Sequence, residues 1–168
     1  MALSRKRSTI MSEFDFNKFM IKLYHNAMKL EEKTLKLERS VNLTINEMHL
    51  LECVKCGTKG EEGPTISAIA AEMDITRPSA TVAINKLTLK KYVEKTGCAN
   101  DGRSVRVRLT SKGEKAYTMH RKYHKSLVEE MKNTFSEDEM KSMIESCEKL
   151  GDFFGKKIES LADEDDEF

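Results

Sequence analysis

The chain has 168 residues, 34% of them charged and 39% apolar, with 7% aromatics and no tryptophan. That is enough apolar material for one small domain with helical extensions, and two prolines and eight glycines are too few for a turn-dense sandwich or propeller. No run of about 18 apolar residues occurs, so no membrane span is expected. The net charge of +1 is uneven: residues 1–64 carry +2, residues 65–112 carry +5 and residues 113–168 carry −6. A basic middle between near-neutral and acidic ends suits a module that meets a polyanion, and equally suits a set of solvated faces. The basic start Ser4-Arg5-Lys6-Arg7 is not followed by the apolar stretch of a secretory signal. Four cysteines outside a secretory context read as reduced thiols in the cytoplasm.

Taken in order, residues 1–12 form a basic tail without periodicity. Phe16, Phe19, Met20, Leu23, Ala27 and Leu30 then recur at three- and four-residue steps, which predicts a long helix over about 13–38. Thr44, with Glu47 three residues on, forms a capping box for a second helix that stops at Gly57. The stretch 57–64 is Gly-rich and reads as a loop. Ile66, Ile69, Ala70 and Met73 make a short third helix. Asp74-Ile75-Thr76 breaks it, and Thr76 caps a fourth with Pro78 in its first turn and Ala80, Ala83, Ile84 and Leu87 facing inward. Two short helices across a tight turn are a helix-turn-helix pattern. Residues 92–96 and 104–109 alternate with a two-residue period around Asp101-Gly102, a hairpin signal. A further helix follows over about 111–133. Ser136 and Glu139 cap the last one, whose stripe runs Met140, Met143, Ile144, Cys147, Leu150, Phe154, Ile158, Leu161. An acidic tail closes the chain at 163–168. The expected organisation is therefore mainly α with a small β-hairpin wing: a dimerisation helix at 13–43, a winged helix-turn-helix at 44–112 and dimerisation helices at 113–162. The first and last helices carry longer apolar stripes than one small domain can cover, which predicts a homodimer.

This order of elements resembles the MarR family of winged-helix regulators. The residues that carry the resemblance are Asp101-Gly102-Arg103 at the wing tip and Val105-Arg106-Val107-Arg108-Leu109-Thr110-Ser111-Lys112-Gly113 after it. Within the family the chain is similar to the FabT-type repressors of fatty-acid synthesis, through Asn46-Glu47-Met48-His49, the run His120–Glu129 and Phe135–Glu139. One departure is Lys91, where the family usually ends its recognition helix with glycine. If the backbone there takes a positive φ, Lys91 is strained.

A DNA-reading role assigns Arg77, Pro78, Ser79, Thr81, Val82 and Lys86 to the major groove. Arg77 suits guanine O6/N7, and Thr81 or Val82 suits thymine methyls. The alternative for the same positions is an ordinary solvated helix face. Arg103 suits a narrow, A·T-rich minor groove, with Asp101 orienting it, and Arg106 and Arg108 suit flanking phosphates. A two-fold dimer implies double-stranded DNA with a pseudo-palindromic operator.

Three switches compete. The first is an apolar ligand, for which ten methionines suit an adaptable pocket and His49, Met48, Met119 and Tyr123 are the candidate residues; the resemblance implies a long-chain acyl group on acyl carrier protein as corepressor, and Lys122 and Lys125 are candidates to face an acidic carrier. A metal is the second option, with Glu47, His49, His120 and His124 as N/O donors for zinc; a small aromatic ligand is also open. Third is thiol chemistry at Cys53 and Cys56, whose CxxC spacing lacks the second pair of a four-thiolate site, while Cys98 and Cys147 stand alone. Nothing suggests an enzyme or a resident cofactor: no phosphate loop or nucleophile elbow is present in the sequence. A helical adaptor that dimerises without DNA is the remaining alternative.

Overall fold

Local capping chemistry sets where each helix starts. In this computed structural model, which describes residues 13–59, 62–97 and 105–165, the order is α1 (Glu13–Leu37), α2 (Ile45–Cys56), α3 (Ile66–Glu72), α4 (Arg77–Leu89), β1 (Val93–Gly97), β2 (Val105–Leu109), α5 (Ser111–Thr134) and α6 (Glu137–Asp165). Thr44 and Glu47 form the expected capping box on α2: the Thr44 N–H donates to Glu47 Oε2 at 2.9 Å and the Glu47 N–H to Thr44 Oγ1 at 3.3 Å. Thr65 caps α3, Thr76 caps α4, and Ser136 with Glu139 caps α6 in the same reciprocal way.

Helix ends are equally well specified. Past α3, Asp74 takes φ 49°, with Ile75 N–H donating to Ala70 at 3.0 Å; past α4, Lys91 takes φ 63°, with Tyr92 N–H donating to Leu87 at 3.0 Å. Both are Schellman closures, in which a left-handed residue lets the chain bond back over the last turn. The positive φ expected at Lys91 is therefore present.

The strands pair antiparallel from Val93 opposite Leu109 to Gly97 opposite Val105. The loop before α3 runs along the far edge of β2: Thr65 bridges Arg106, and the Val107 N–H donates to the Pro64 carbonyl at 2.9 Å. One core gathers Met48, Leu51 and Val54 of α2, Ile69 of α3, Ala80, Ile84 and Leu87 of α4, then Tyr92, Val93, Val107 and Ala116. Each large side chain so buried contributes roughly 1.5–3 kcal/mol.

The chain divides into two compact units, one ending at His120 and one from Arg121 onward. In the first, α1 turns Met28 and Leu35 toward the core, while Phe16, Phe19, Leu23 and Leu30 stay exposed. In the second, α6 leaves Ile144, Phe154, Ile158 and Leu161 exposed. The stripes that periodicity picks out are thus mostly faces that the chain by itself leaves uncovered.

Candidate nucleic-acid interface

The inward stripe of α4 (Ala80, Ile84 and Leu87, all without exposed surface) decides what the helix shows to solvent. Arg77, Pro78, Ser79, Val82 and Lys86 are exposed and Thr81 is half-buried. The Thr81 hydroxyl donates to the Arg77 carbonyl at 2.8 Å, so its hydrogen is spent on the helix and its methyl is what it can offer outward. Ser79 Oγ lies 2.9 Å from Thr76 Oγ1 at the cap. Arg77 stands in a first turn with no acidic residue. A cation there opposes the helix dipole at a cost of about 0.3–1 kcal/mol, a cost that an anionic partner removes.

Asn85 completes this face and is not among the sequence expectations. It is exposed, four residues after Thr81 and eight after Arg77, and its side-chain carbonyl accepts from Lys95 of β1. Its spacing was the available signal, since residues four apart share a helix face. An asparagine amide matches the N6/N7 edge of adenine.

On the wing, Arg106 is committed to the fold: Nη1 donates to the Gly63 carbonyl at 2.9 Å and Nη2 lies 3.1 Å from Glu62 Oε2. It pins the loop before α3 to β2, so its guanidinium is already engaged within the fold. Arg108 is half-buried on the same strand. Asp101 and Arg103 lie outside the described residues.

The stretch Leu109-Thr110-Ser111-Lys112-Gly113 has a physical account. The Thr110 hydroxyl donates to the Lys91 carbonyl at 2.7 Å and the Thr110 N–H to Tyr92 O at 3.0 Å, while the Gly113 N–H lies 3.2 Å from Thr110 Oγ1. A Cβ at Gly113 would sit 2.1 Å from the Tyr92 carbonyl oxygen, so only glycine allows this approach. Tyr92 itself is 1% exposed: its hydroxyl accepts the Asn42 N–H at 3.0 Å, and Lys112 Nζ lies 4.0 Å over its ring. The exit of α4 is thereby tied to the starts of β1 and α5.

The proposed switch residues separate. Met48 has no exposed surface and packs in the core. Met119 is half-buried against the core. Tyr123 lies in the second unit with its ring 5.1 Å from that of His124. His49 Nε2 lies 3.1 Å from Glu31 Oε1, and His120 Nε2, on a residue 2% exposed, lies 3.2 Å from the same oxygen. Glu31 of α1, rather than Glu47, is the carboxylate beside these histidines. Glu47 accepts from Lys90, and Lys86 is 3.1 Å from it. A cavity of about 980 Å³ runs along α1 and the start of α2, with Met28, Leu35 and Ile45 on its apolar floor and Lys18, Lys22 and Lys36 around it. Burial, then the charges of Glu72 and Cys56, push the Cys53 thiol up, so it stays protonated.

Residues 58–104 match the MarR family. An uncharacterised HTH-type transcriptional regulator of Bacillus subtilis, YhjH, is 30% identical over 83 residues, 49% of this chain and 45% of that one. The HTH-type transcriptional regulator PchR of the same organism is 24% identical over 110 residues, 63% of this chain and 62% of that one. The chain thus spans about half to three-fifths of these relatives. Among solved structures, Streptococcus pneumoniae FabT in complex with DNA is 26% identical, covers 86% of this chain and 99% of its own, and aligns with a TM-score of 0.78. The Staphylococcus aureus MepR–DNA complex aligns with a TM-score of 0.68 at 18% identity, over 83% of this chain and 97% of its own. A helix-turn-helix followed by a strand pair is thus shared with these proteins: residues 58–104 match the MarR family, and the chain as a whole has the fold of solved MarR-type winged helix-turn-helix regulators.

Proposed function

We propose that the chain is a homodimeric repressor that reads a pseudo-palindromic operator with α4 in the major groove. The observation that carries this reading is the outer face of α4. Arg77, Val82 and Asn85 are exposed there, and Arg77 sits at a helix end where a cation is favourable only with an anionic partner. Arg77 reads guanine, Asn85 adenine, and Thr81 and Val82 meet thymine methyls. Pro78 and Ser79 approach the backbone at the helix start, and Arg108 on β2 of the wing meets a flanking phosphate. The apolar faces of α1 and α6 pair between protomers.

The regulated genes are those of fatty-acid synthesis, and an acyl group on acyl carrier protein is the corepressor. The likeness to FabT supports this, as does the apolar floor and lysine rim of the cavity along α1: apolar carbons suit a chain, lysines an acidic carrier. Anisotropy of a labelled fatty-acid-synthesis promoter fragment, with long-chain acyl carrier protein titrated in and chelator present, tests it. Binding that tightens with chain length is expected. Binding that ignores the acyl protein removes the lipid reading and keeps the repressor; no binding at low salt removes both.

A second reading is favoured by one cluster. Two imidazoles converge on Glu31, a donor set that suits zinc, and so a metal-responsive regulator. Glu31, His49 and His120 would hold the ion. In the same assay, DNA affinity that rises with zinc and falls with chelator would favour it over the acyl reading.

A further inference from the structure

The C-terminal end of α4 is held by a single carboxylate of α2. Lys90 Nζ lies 3.0 and 2.8 Å from the two oxygens of Glu47, and it also donates to the Asn42 carbonyl at 3.0 Å. Lys86 Nζ, one turn earlier, lies 3.1 Å from Glu47 Oε1. The same carboxylate caps α2 through Thr44, yet its residue is only 7% exposed. Burial by itself pushes the Glu47 carboxyl up. The hydrogen bonds from Lys90, the Thr44 N–H and Lys86, with the Lys90 charge, outweigh burial and hold it below the ordinary carboxylate value. A buried carboxylate in this state loses far more from a departing cation than a surface pair would.

We propose that Glu47 is the positioning residue of the recognition helix, and that it keeps Lys86 from the DNA backbone. Position alone makes Lys86 a phosphate-neutralising cation, because its side chain is 59% exposed on the outer part of α4. The geometry gives its ammonium to Glu47 instead. Seating α4 on α2 through two lysines fixes the tilt at which Arg77, Thr81, Val82 and Asn85 are presented, and tilt is what direct base readout depends on. Lys86 then supplies orientation and Lys90 anchorage, while counterion release comes from other cations. This inference rests on the DNA-binding reading above.

The test uses the full chain and a duplex selected by it from a random pool, with affinity followed by anisotropy across a salt series. Each neutralised phosphate contributes about 0.9 to the slope of log affinity against log salt. Lys86→Met should leave the slope unchanged. Glu47→Gln, which keeps an oxygen for the Thr44 cap but removes the charge, should steepen the slope by up to about 0.9 per protomer as Lys86 is freed. It should also narrow the affinity ratio between the selected and a scrambled duplex. Adding Lys86→Met to Glu47→Gln should restore the original slope. A fall of about 0.9 per protomer for Lys86→Met alone would overturn the proposal, since Lys86 would already neutralise a phosphate. An unchanged slope and unchanged discrimination in Glu47→Gln would overturn it too. If Glu47→Gln does not fold, the single exposed substitution Lys86→Met still decides. A pool that yields no duplex sinks the DNA-binding reading itself, and this inference with it.

Discussion

Replacing Lys91 with glycine removes a Cβ from a backbone at φ 63°, where a side-chain-bearing residue crowds its own carbonyl. That crowding costs roughly 1–2 kcal/mol. Glycine returns about 0.5–1 kcal/mol of this through its greater freedom in the unfolded chain. Nothing else at the site changes: the Lys91 N–H to Thr88 bond at 2.9 Å and the acceptance of the Thr110 hydroxyl at 2.7 Å use backbone atoms, and the side chain is exposed. The expected net gain is therefore about 0.5–1 kcal/mol, a rise in Tm of roughly 1–4 °C for a chain of this size. Calorimetry at fixed protein concentration measures it, since any self-association makes Tm move with concentration. Lys91→Ala is the control: it removes the same charge but keeps the Cβ, so it should gain nothing. Equal gains for both substitutions would refute the backbone argument and assign the effect to relief of charge repulsion among the basic residues at this end of α4.

Arg77→Ala should weaken binding to a selected operator by roughly 1–3 kcal/mol and relax the preference at one base pair, read by anisotropy against single-base operator variants. Gly113→Ala should destabilise by about 1–3 kcal/mol or more, although helix propensity alone forecasts a gain of about 1 kcal/mol. The obstacle is a backbone carbonyl 2.1 Å from the new Cβ, and a thermal melt reads the sign directly. Glu47 predicts a pH dependence. Its folded carboxyl lies below the ordinary value of 4.5, so its contribution to stability is fully present above that value. It is lost as pH falls through the lower, folded value. Urea midpoints of the native chain and Glu47→Gln should differ by a constant amount near neutrality and converge only in acid; a gap that widens in acid would contradict this.

Local chemistry made most of the fold legible. Thr44, Thr76 and Ser136 start helices because a hydroxyl can satisfy an orphan N–H from residues already in the sequence window. The departure at Lys91 pointed to a left-handed residue for the same local reason. The surroundings of the site residues depend on partners far along the chain. Glu47 and His49 are close in sequence, but residues two apart on a helix face different ways, so one carboxylate meets α4 while the imidazole meets Glu31. Arg106 alternates correctly on its strand. Period two gives the side of a sheet, however, and not that the loop carrying Gly63 runs alongside it. Met48 is a ligand candidate by sequence, while its burial is decided by how α2 packs on its neighbours.

The division of labour on α4 has a consequence for how such a regulator changes over generations. Ala80, Ile84 and Leu87 hold the helix, while Val82 is 68% exposed and Asn85 is likewise outside the core. Exposed positions of this kind can be exchanged at a cost within about 0.5 kcal/mol. With α4 facing the operator as proposed, new operators would be acquired one outward residue at a time without passing through unfolded intermediates, and the inward stripe would remain as the inherited frame on which each new specificity is tried.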